Sequence, residues 1–500
     1  MKKDRKLYKL QRLVICFLLI VSGSCSDFLD EDPISDVADQ TFWNNEEEAN
    51  SGVAGCYSQL RKTLNSALAY YAYGDLPTDV FASDRDIVDY NYVQEVDWGL
   101  AVAATETNAI MYRLRNFQYF YATIRQANLC LARIPTIPED NFADYDAAFN
   151  QFMGEAYFVR AFSYFYMARV WGDVPIINDN TVDVVDLNDY YRDDKERVIA
   201  KAIEDCQAAL THLSWEYLNA EDVAVRANAG AAWTLLANIY AWQGDYENCE
   251  RAAEMVLSSG NYSYVDRNDY LDIFSGQSSE SIFEIAQNAD NEANAASAGG
   301  ISNYLLRDDY LTTVTDATLW PFDTLTLRQT LFNDENDLRR TEGFWQFDDD
   351  YPVLLKYANI DYSTDTYALG FNNIVIFRLA GIALLQAEAQ AAQQKYAQAR
   401  QTLDYIRGLA GIEPSEAPDS ELFEAIIDER GRELFMEGHR FYDLVRLARE
   451  KNIFKFGSSD SDKISEAEFQ EGKYYWPVQP SIMEVNPLLV QTEYWRSEME

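Results

Sequence analysis

The sequence is 500 residues long and 48% hydrophobic, and it carries 82 Asp and Glu against 41 Lys and Arg, a formal net charge of −41. A surface this acidic repels phosphate backbones and anionic lipid head groups, which argues against nucleic acid as a partner and against adsorption to a bilayer. With two histidines in the whole chain there is almost no room for a catalytic triad or a histidine-rich metal centre.

Met1 to Arg12 carries six basic residues against one Asp, Leu13 to Val21 is an apolar run, and Ser22-Gly23-Ser24 precede Cys25. This is the pattern of a secretory signal, and the run is far below the roughly 20 residues that a spanning helix needs. Cys25 stands where a lipobox cysteine stands. Residues 1–24 are therefore expected to be a signal peptide, Cys25 the lipidated residue, and residues 25–40 an acidic, turn-rich tether; Ser22 stands where a lipobox more usually has Leu, which leaves ordinary signal-peptidase cleavage as the alternative. Losing six basic residues and one acidic residue with the leader takes the net charge from −41 to −46. Cys56, Cys130, Cys206 and Cys249 show no C-x-x-C spacing and read as small core residues rather than a zinc set or disulfide framework.

From residue 41 to 500 no Pro, Gly or Ser-rich linker divides the chain, which predicts a single body. Most of its pattern is helical. A polar start and acidic first turn at Thr41 to Glu48 open a helix expected to reach about Leu64. Ala109 to Ile134 reads as a second long helix, with Leu114, Phe117, Phe120, Tyr121, Ile124 and Leu131 on one stripe, and Ala147 to Val170 as a third. Ala232 to Leu257 is a helix, a Gly-Asp turn and a second helix, and the same pattern returns 150 residues later at Ile382 to Arg407. Leu235 matches Leu385, Ala237 matches Ala387, Tyr246 matches Tyr396 and Cys249 matches Ala399. Small residues at helix crossings and a Tyr opening the second helix are the packing logic of tetratricopeptide pairs. Helix pairs are expected near 109–175, 195–260 and 374–447.

Between the two repeats, residues 261–373 lose helical periodicity and become dense in Gly, Asn, Asp, Thr and aromatic residues. Ile282 to Ile285 reads as a short strand and Asn288 to Gly300 as a polar loop. This loop-rich stretch is the expected ligand face. An aromatic ring suits the apolar C–H face of a sugar, whose hydroxyls want short polar partners. Trp98, Trp320 and Trp345 are the first platform candidates and Tyr73 and Tyr92 the next, with Asp75, Asn91 and Arg85 as hydrogen-bond partners. Asp348-Asp349-Asp350 lacks the ligand spacing of a calcium loop and reads as a solvated turn.

The stretch Asp428 to Arg446 reads as a helix from about Leu422, broken at Gly438, and a second helix with a new apolar face. Asp428 and Arg432 are one turn apart as a possible ion pair, and His439, Arg440, Asp443 and Arg446 place charge at the corner. His439 reads as a packing residue. The string carried by Glu429, Arg430, Glu433, Leu434, Glu437, Gly438, His439, Arg440, Asp443, Leu444 and Arg446 resembles the C-terminal signature of the SusD/RagB family of Bacteroidetes outer-membrane nutrient-binding lipoproteins. Arg160 to Phe165 with Gly172 to Pro175, Asp337 to Arg340, Lys356-Tyr357, and Trp476-Pro477-Val478 with Asn486-Pro487 resemble the same family.

The resemblance implies a mainly α fold, a tetratricopeptide-like scaffold of helix pairs with an irregular loop-rich face. It also implies an oligosaccharide-binding lipoprotein at the outer membrane, facing the cell surface and passing its ligand to a SusC-like TonB-dependent transporter. The family has no fixed ligand motif, so no site residue is carried over from it. The residues themselves leave two other classes open. A secreted glycoside hydrolase needs a carboxylate pair across a sugar cleft, and nothing marks one among the acidic residues. A tetratricopeptide-like scaffold for proteins would use the aromatic loops for protein contact. No catalytic residue, metal set or cofactor fingerprint stands out.

Overall fold

The computed structural model describes residues 42–81, 88–177, 190–287, 294–295, 300–308, 310–311, 317–361, 369–458 and 462–499. The expected signal peptide, Cys25 and the tether lie outside these residues, as does most of the Asn288 to Gly300 loop. Ten helices of twelve or more residues are found among the described residues: α1 (Glu46–Asn65), α2 (Gln118–Arg133), α3 (Tyr145–Trp171), α4 (Lys195–His212) and α5 (Ala229–Gln243). They continue with α6 (Tyr246–Leu257), α7 (Leu379–Ala392), α8 (Tyr396–Leu409), α9 (Leu422–Glu433) and α10 (Arg440–Lys451). Each packs on the next from α1 to α8, and α9 closes over α7 and α8 with α10 against it. The expected mainly α fold of stacked helix pairs is the fold observed.

Local chemistry sets the helix ends. Asn45 caps α1 by accepting from the Glu48 N–H at 3.0 Å, beside three acidic residues that suit the positive helix end. Asn228 caps α5 at 3.0 Å from the Ala231 N–H, and Gly244 ends that helix in the left-handed region at φ 75°. Asp245 then starts α6. The two hairpins related by the 150-residue offset sit side by side, because α6 packs on α7. Leu235, Leu385, Ala237, Ala387, Cys249 and Ala399 are all buried. Gln386 donates to Glu254 at 2.8 Å and Gln393 to Glu250 at 2.8 Å across this seam. At the centre, α3 is apolar on nearly every side and is buried on nearly every side. The four cysteines are free and buried, and the Cys56 and Cys130 sulfurs lie 3.8 Å apart where α1 meets α2.

One helix differs from expectation. The Ala109 to Ile134 stripe is split into Ile110–Leu114 and α2. The cause is tertiary: Arg115 is buried and donates to the Trp98 and Leu100 carbonyls at 3.2 and 2.8 Å, and Asn116 accepts from the Gln118 N–H at 2.9 Å, which restarts the helix. The expected strand is β1 (Ser281–Ile285), paired antiparallel with β2 (Ile374–Arg378), and every residue of both strands is buried. β2 runs directly into α7, so Arg378 stands where strand and helix meet.

Around Arg378 the C-terminal helix corner becomes intelligible. Glu429 and Glu433 lie one turn apart on α9, and Glu437 follows in the turn that leads to α10. Glu433 is met by Arg267 at 3.0 Å, Arg378 at 2.7 Å and Arg339 at 2.9 Å, and Glu437 by Arg378 at 2.7 Å and Lys356 at 2.6 Å. Burial alone would raise the Glu433 carboxyl, but the three guanidinium groups hold it well below the usual range. A second knot joins Arg446 to Glu388 at 2.6 Å and to Asp443 at 2.7 Å, with Arg430 at 3.0 Å from Asp443. The expected Asp428–Arg432 pair is not the one made. Arg432 turns to Glu429 at 2.8 Å, and Asp428 pairs with Lys455 at 2.9 Å. His439 carries no charge at the corner: burial and the nearby Arg430 push its pKa down to about 4, so the neutral ring donates from Nε2 to the Ile376 carbonyl at 3.1 Å.

Candidate ligand-binding face

The two aromatic stretches of the sequence meet, but mostly as core. The Asp323 N–H donates to the Val80 carbonyl at 2.8 Å, and Phe81 bridges Phe322, which ties the 70–100 segment to the 300–323 segment. Trp320 is sealed beneath this junction at 1% exposure, edge-on to Tyr90 at 4.9 Å and tilted against Tyr304 at 4.8 Å. Trp98 is 0% exposed and stacked on Trp476 at 4.2 Å, its Nε1 donating to the Val93 carbonyl. Tyr73 lies edge-on to Trp171 and Trp476 in the same cluster and donates to the Leu114 carbonyl at 2.5 Å. The expectation that Trp98, Trp320 and Tyr73 present rings to a ligand is thereby corrected: each ring is used up in packing.

Asp75 is likewise corrected. It is 1% exposed and accepts from the Gly438 N–H at 2.7 Å, tying the turn between α9 and α10 to the Ala69–Gly74 helix. Burial pushes its pKa up to about 8; the Gly438 N–H and Lys356 oppose the shift, and Glu437 adds to it. The folded chain thus keeps a proton that the unfolded chain releases near pH 4, so this group's contribution is complete below pH 4 and is lost as pH rises to 8. Asp75→Asn is expected to flatten stability between pH 4 and 8, where the wild-type slope from this residue reaches about 1.4 kcal/mol per pH unit. Urea midpoints across that range check it, and parallel wild-type and variant curves would contradict it.

Tyr92 and Asn91 are half-buried on the Val88–Gln94 helix, and Arg85 lies outside the described residues. Of the three tryptophan candidates, Trp345 is the one that stays at the surface. It belongs to a two-residue antiparallel pair, Phe344–Trp345 with Val353–Leu354, and alternation along a strand sends neighbouring side chains to opposite faces. Phe344 turns inward onto Phe332, Phe347 and Phe435. Trp345 turns the other way, half-buried, onto a satellite core of Leu306, Leu311 and Val353. Tyr310 meets its ring edge-on at 5.6 Å, and the Arg307 guanidinium lies 5.0 Å from the ring centroid. Arg307 also reaches the exposed Asp349 at 3.3 Å.

This arrangement brings a partly exposed ring, a second ring at its edge, a largely buried guanidinium over it and an exposed carboxylate into one small area. Its chemistry is that of holding a polyhydroxylated ring by stacking and by hydrogen bonds. Trp345 is legible in the sequence but Tyr310 and Arg307 are not, because nothing in their spacing shows that they come to lie against its ring. Among the described residues no cluster of three or more His, Cys, Asp or Glu is placed to hold a metal, and no helix is long and apolar enough to cross a membrane.

Known proteins share both the sequence pattern and this architecture. The SusD family model matches residues 327–495, and a model described as starch-binding associating with outer membrane matches residues 27–241. SusD-like protein P38 of Formosa agariphila is 26% identical over 496 residues, covering 88% of this chain and 92% of that protein. The crystal structure of a SusD homolog from Bacteroides thetaiotaomicron superposes with a TM-score of 0.77 at 26% identity, over 90% of this chain and 98% of that one. A second SusD superfamily structure from the same organism gives a TM-score of 0.76 at 23% identity, over 91% and 99%.

Proposed function

The chain belongs to the SusD/RagB family of Bacteroidetes outer-membrane-associated glycan-binding proteins, which bind rather than catalyse, and on that premise we propose that it captures an oligosaccharide on the Trp345 face and hands it to a SusC-like TonB-dependent transporter. The observation that carries the placement is the half-exposed Trp345 ring framed by Tyr310, Arg307 and Asp349. A sugar ring stacks on Trp345, and the guanidinium and carboxylate take its hydroxyls. The acidic surface favours a neutral ligand, since a polyanion would meet like charge on approach.

We further propose that Cys25 carries the lipid and that residues 25–40 tether the body at the cell surface beside the transporter. The apolar run ending at Val21, the small residues before Cys25 and a family match that begins at residue 27 support this reading. Labelling with a radioactive fatty acid tests it: incorporation that disappears in Cys25→Ala is expected, and incorporation that persists would move the anchor.

Trp345→Ala is expected to weaken binding about tenfold, the scale of one lost stacking contact. Affinity electrophoresis through polysaccharide-containing gels reads this directly, with Tyr310→Ala as a milder second variant. Unchanged retardation of both variants would place the ligand elsewhere.

A further inference from the structure

A hollow of about 740 Å³ lies on the helix-pair scaffold, between the α4–α5 connection and the 261–281 segment. Its volume falls within the range of small-molecule sites. Trp215 is half-buried in its wall, with Tyr217 and Tyr262 as further rings. The remaining lining is dominated by amides and hydroxyls, and Glu216 is the single formal charge among the lining residues. A quarter of the whole chain is charged, so a wall this neutral stands out from the rest of the surface.

The walls are also held rigidly. Ala224 and Gln277 both sit in the left-handed backbone region, at φ 59° and 54°, where a residue with a side chain is strained. Gln277 stays there because its Nε2 donates to the Glu221 and Val223 carbonyls at 2.9 and 2.8 Å, clasping one wall to the other. Glu284 in β1 completes the clasp: it accepts from the Gln277 N–H at 3.0 Å and donates its own N–H to the Ala224 carbonyl at 2.8 Å. Asn228 anchors the aromatic side by donating to the Trp215 carbonyl at 3.1 Å while lying 3.1 Å from the Tyr262 hydroxyl. At the rim, Asn261 is exposed and its side-chain amide makes no hydrogen bond among the described residues. Asn219 is exposed in the same lining, its side-chain amide donating to the Asp222 carboxylate at 2.9 Å and its side-chain carbonyl oxygen facing the ligand as an acceptor in the arrangement proposed below.

We propose that this groove is a second binding site for a neutral oligosaccharide, with a sugar ring laid on Trp215 and its hydroxyls taken by Asn219 and Asn261. The inference rests on the glycan-binding role of the family but not on the Trp345 face. Strain fixed by hydrogen bonds keeps the site open without ligand, so little ordering cost is left for binding. The lone carboxylate and the charge of the chain select against anionic sugars.

Isothermal titration of the purified chain tests this, with malto-, laminari-, xylo- and manno-hexasaccharides as neutral probes and trigalacturonate as the anionic one. In a Trp345→Ala background, one neutral probe is expected to bind still. That binding should fall about tenfold with Trp215→Ala and measurably with Asn261→Ala, an exposed change that leaves the fold intact. Trigalacturonate should not bind. If Trp345→Ala alone abolishes all binding, or if Trp215→Ala and Asn261→Ala both leave affinity unchanged, the second site is wrong while the Trp345 reading stands. Binding that follows Trp215 and ignores Trp345 would keep the groove and remove the Trp345 face. A preference for trigalacturonate would overturn the neutral-ligand assignment.

Discussion

Glu433→Ala is expected to destabilise the fold by about 3–5 kcal/mol, the scale of breaking a fully buried ion cluster by removing one member. Three guanidinium groups, those of Arg267, Arg378 and Arg339, converge on this one carboxylate at 1% exposure or less. Removing it takes a carboxylate partner from all three at once and leaves a void between them. Arg267 retains Glu280, Arg378 retains Glu280 and Glu437, and Arg339 retains Asp337 and Glu429. Glu433→Gln keeps the shape but not the charge, so it should fall between wild type and alanine. The readout is the urea midpoint at an unchanged slope. A shift worth under about 0.5 kcal/mol, the range of ordinary surface substitutions, would mean that the cluster is solvated rather than buried.

Gly438→Ala is expected to cost about 2–4 kcal/mol, combining the left-handed backbone penalty with overpacking. Gly438 has φ 78°, and an added Cβ would come 2.5 Å from the Tyr70 ring. The other side of this contact is equally tight, since a Cβ on Gly74 would run into the Gly438 carbonyl oxygen. Tyr70 cannot move away freely, because its hydroxyl donates to the Glu437 carbonyl at 2.8 Å. Gly260 supplies the control: its φ is 74°, but nothing lies within 4 Å of the place a Cβ would occupy. Gly260→Ala should therefore show only the backbone share, about 1 kcal/mol. Equal effects at the two glycines, measured as urea midpoints, would remove the packing argument.

What the sequence made legible was local. Helical periodicity marks α3, the α5–α6 hairpin and its counterpart α7–α8, and capping residues add to it at α3, α5 and α6, because a 3.6-residue period and a cap are written within a few turns. The corner at Gly438 was visible for the same reason, but not where the helix before it stops: α9 ends at Glu433, and Leu434 to Gly438 form the turn. The split of the second helix was not, since it depends on Arg115 being drawn to carbonyls at Trp98 and Leu100. The partners of Glu433 were equally hidden, for Arg267, Arg339 and Arg378 arrive from three separate segments.

The ligand face shows the limit most sharply. In sequence, Trp98, Trp320 and Trp345 look alike, each a large ring in a polar, turn-rich stretch. Trp98 meets the C-terminal Trp476, and Trp320 is covered where the 80–81 and 322–323 segments join, so both become core. Trp345 remains outside because its inward neighbour Phe344 takes the core-facing position of the strand pair. Burial of a ring is decided by what lands on it from far along the chain, which no local pattern reports.

Incubating the purified chain with end-labelled neutral hexasaccharides, then measuring both retention by the protein and the length of the recovered sugar, tests capture without catalysis most directly. Saturable retention of at least one hexasaccharide, recovered at full length after prolonged incubation, is the predicted result. Shortened products that accumulate with time, or no retention of any neutral sugar, would contradict it.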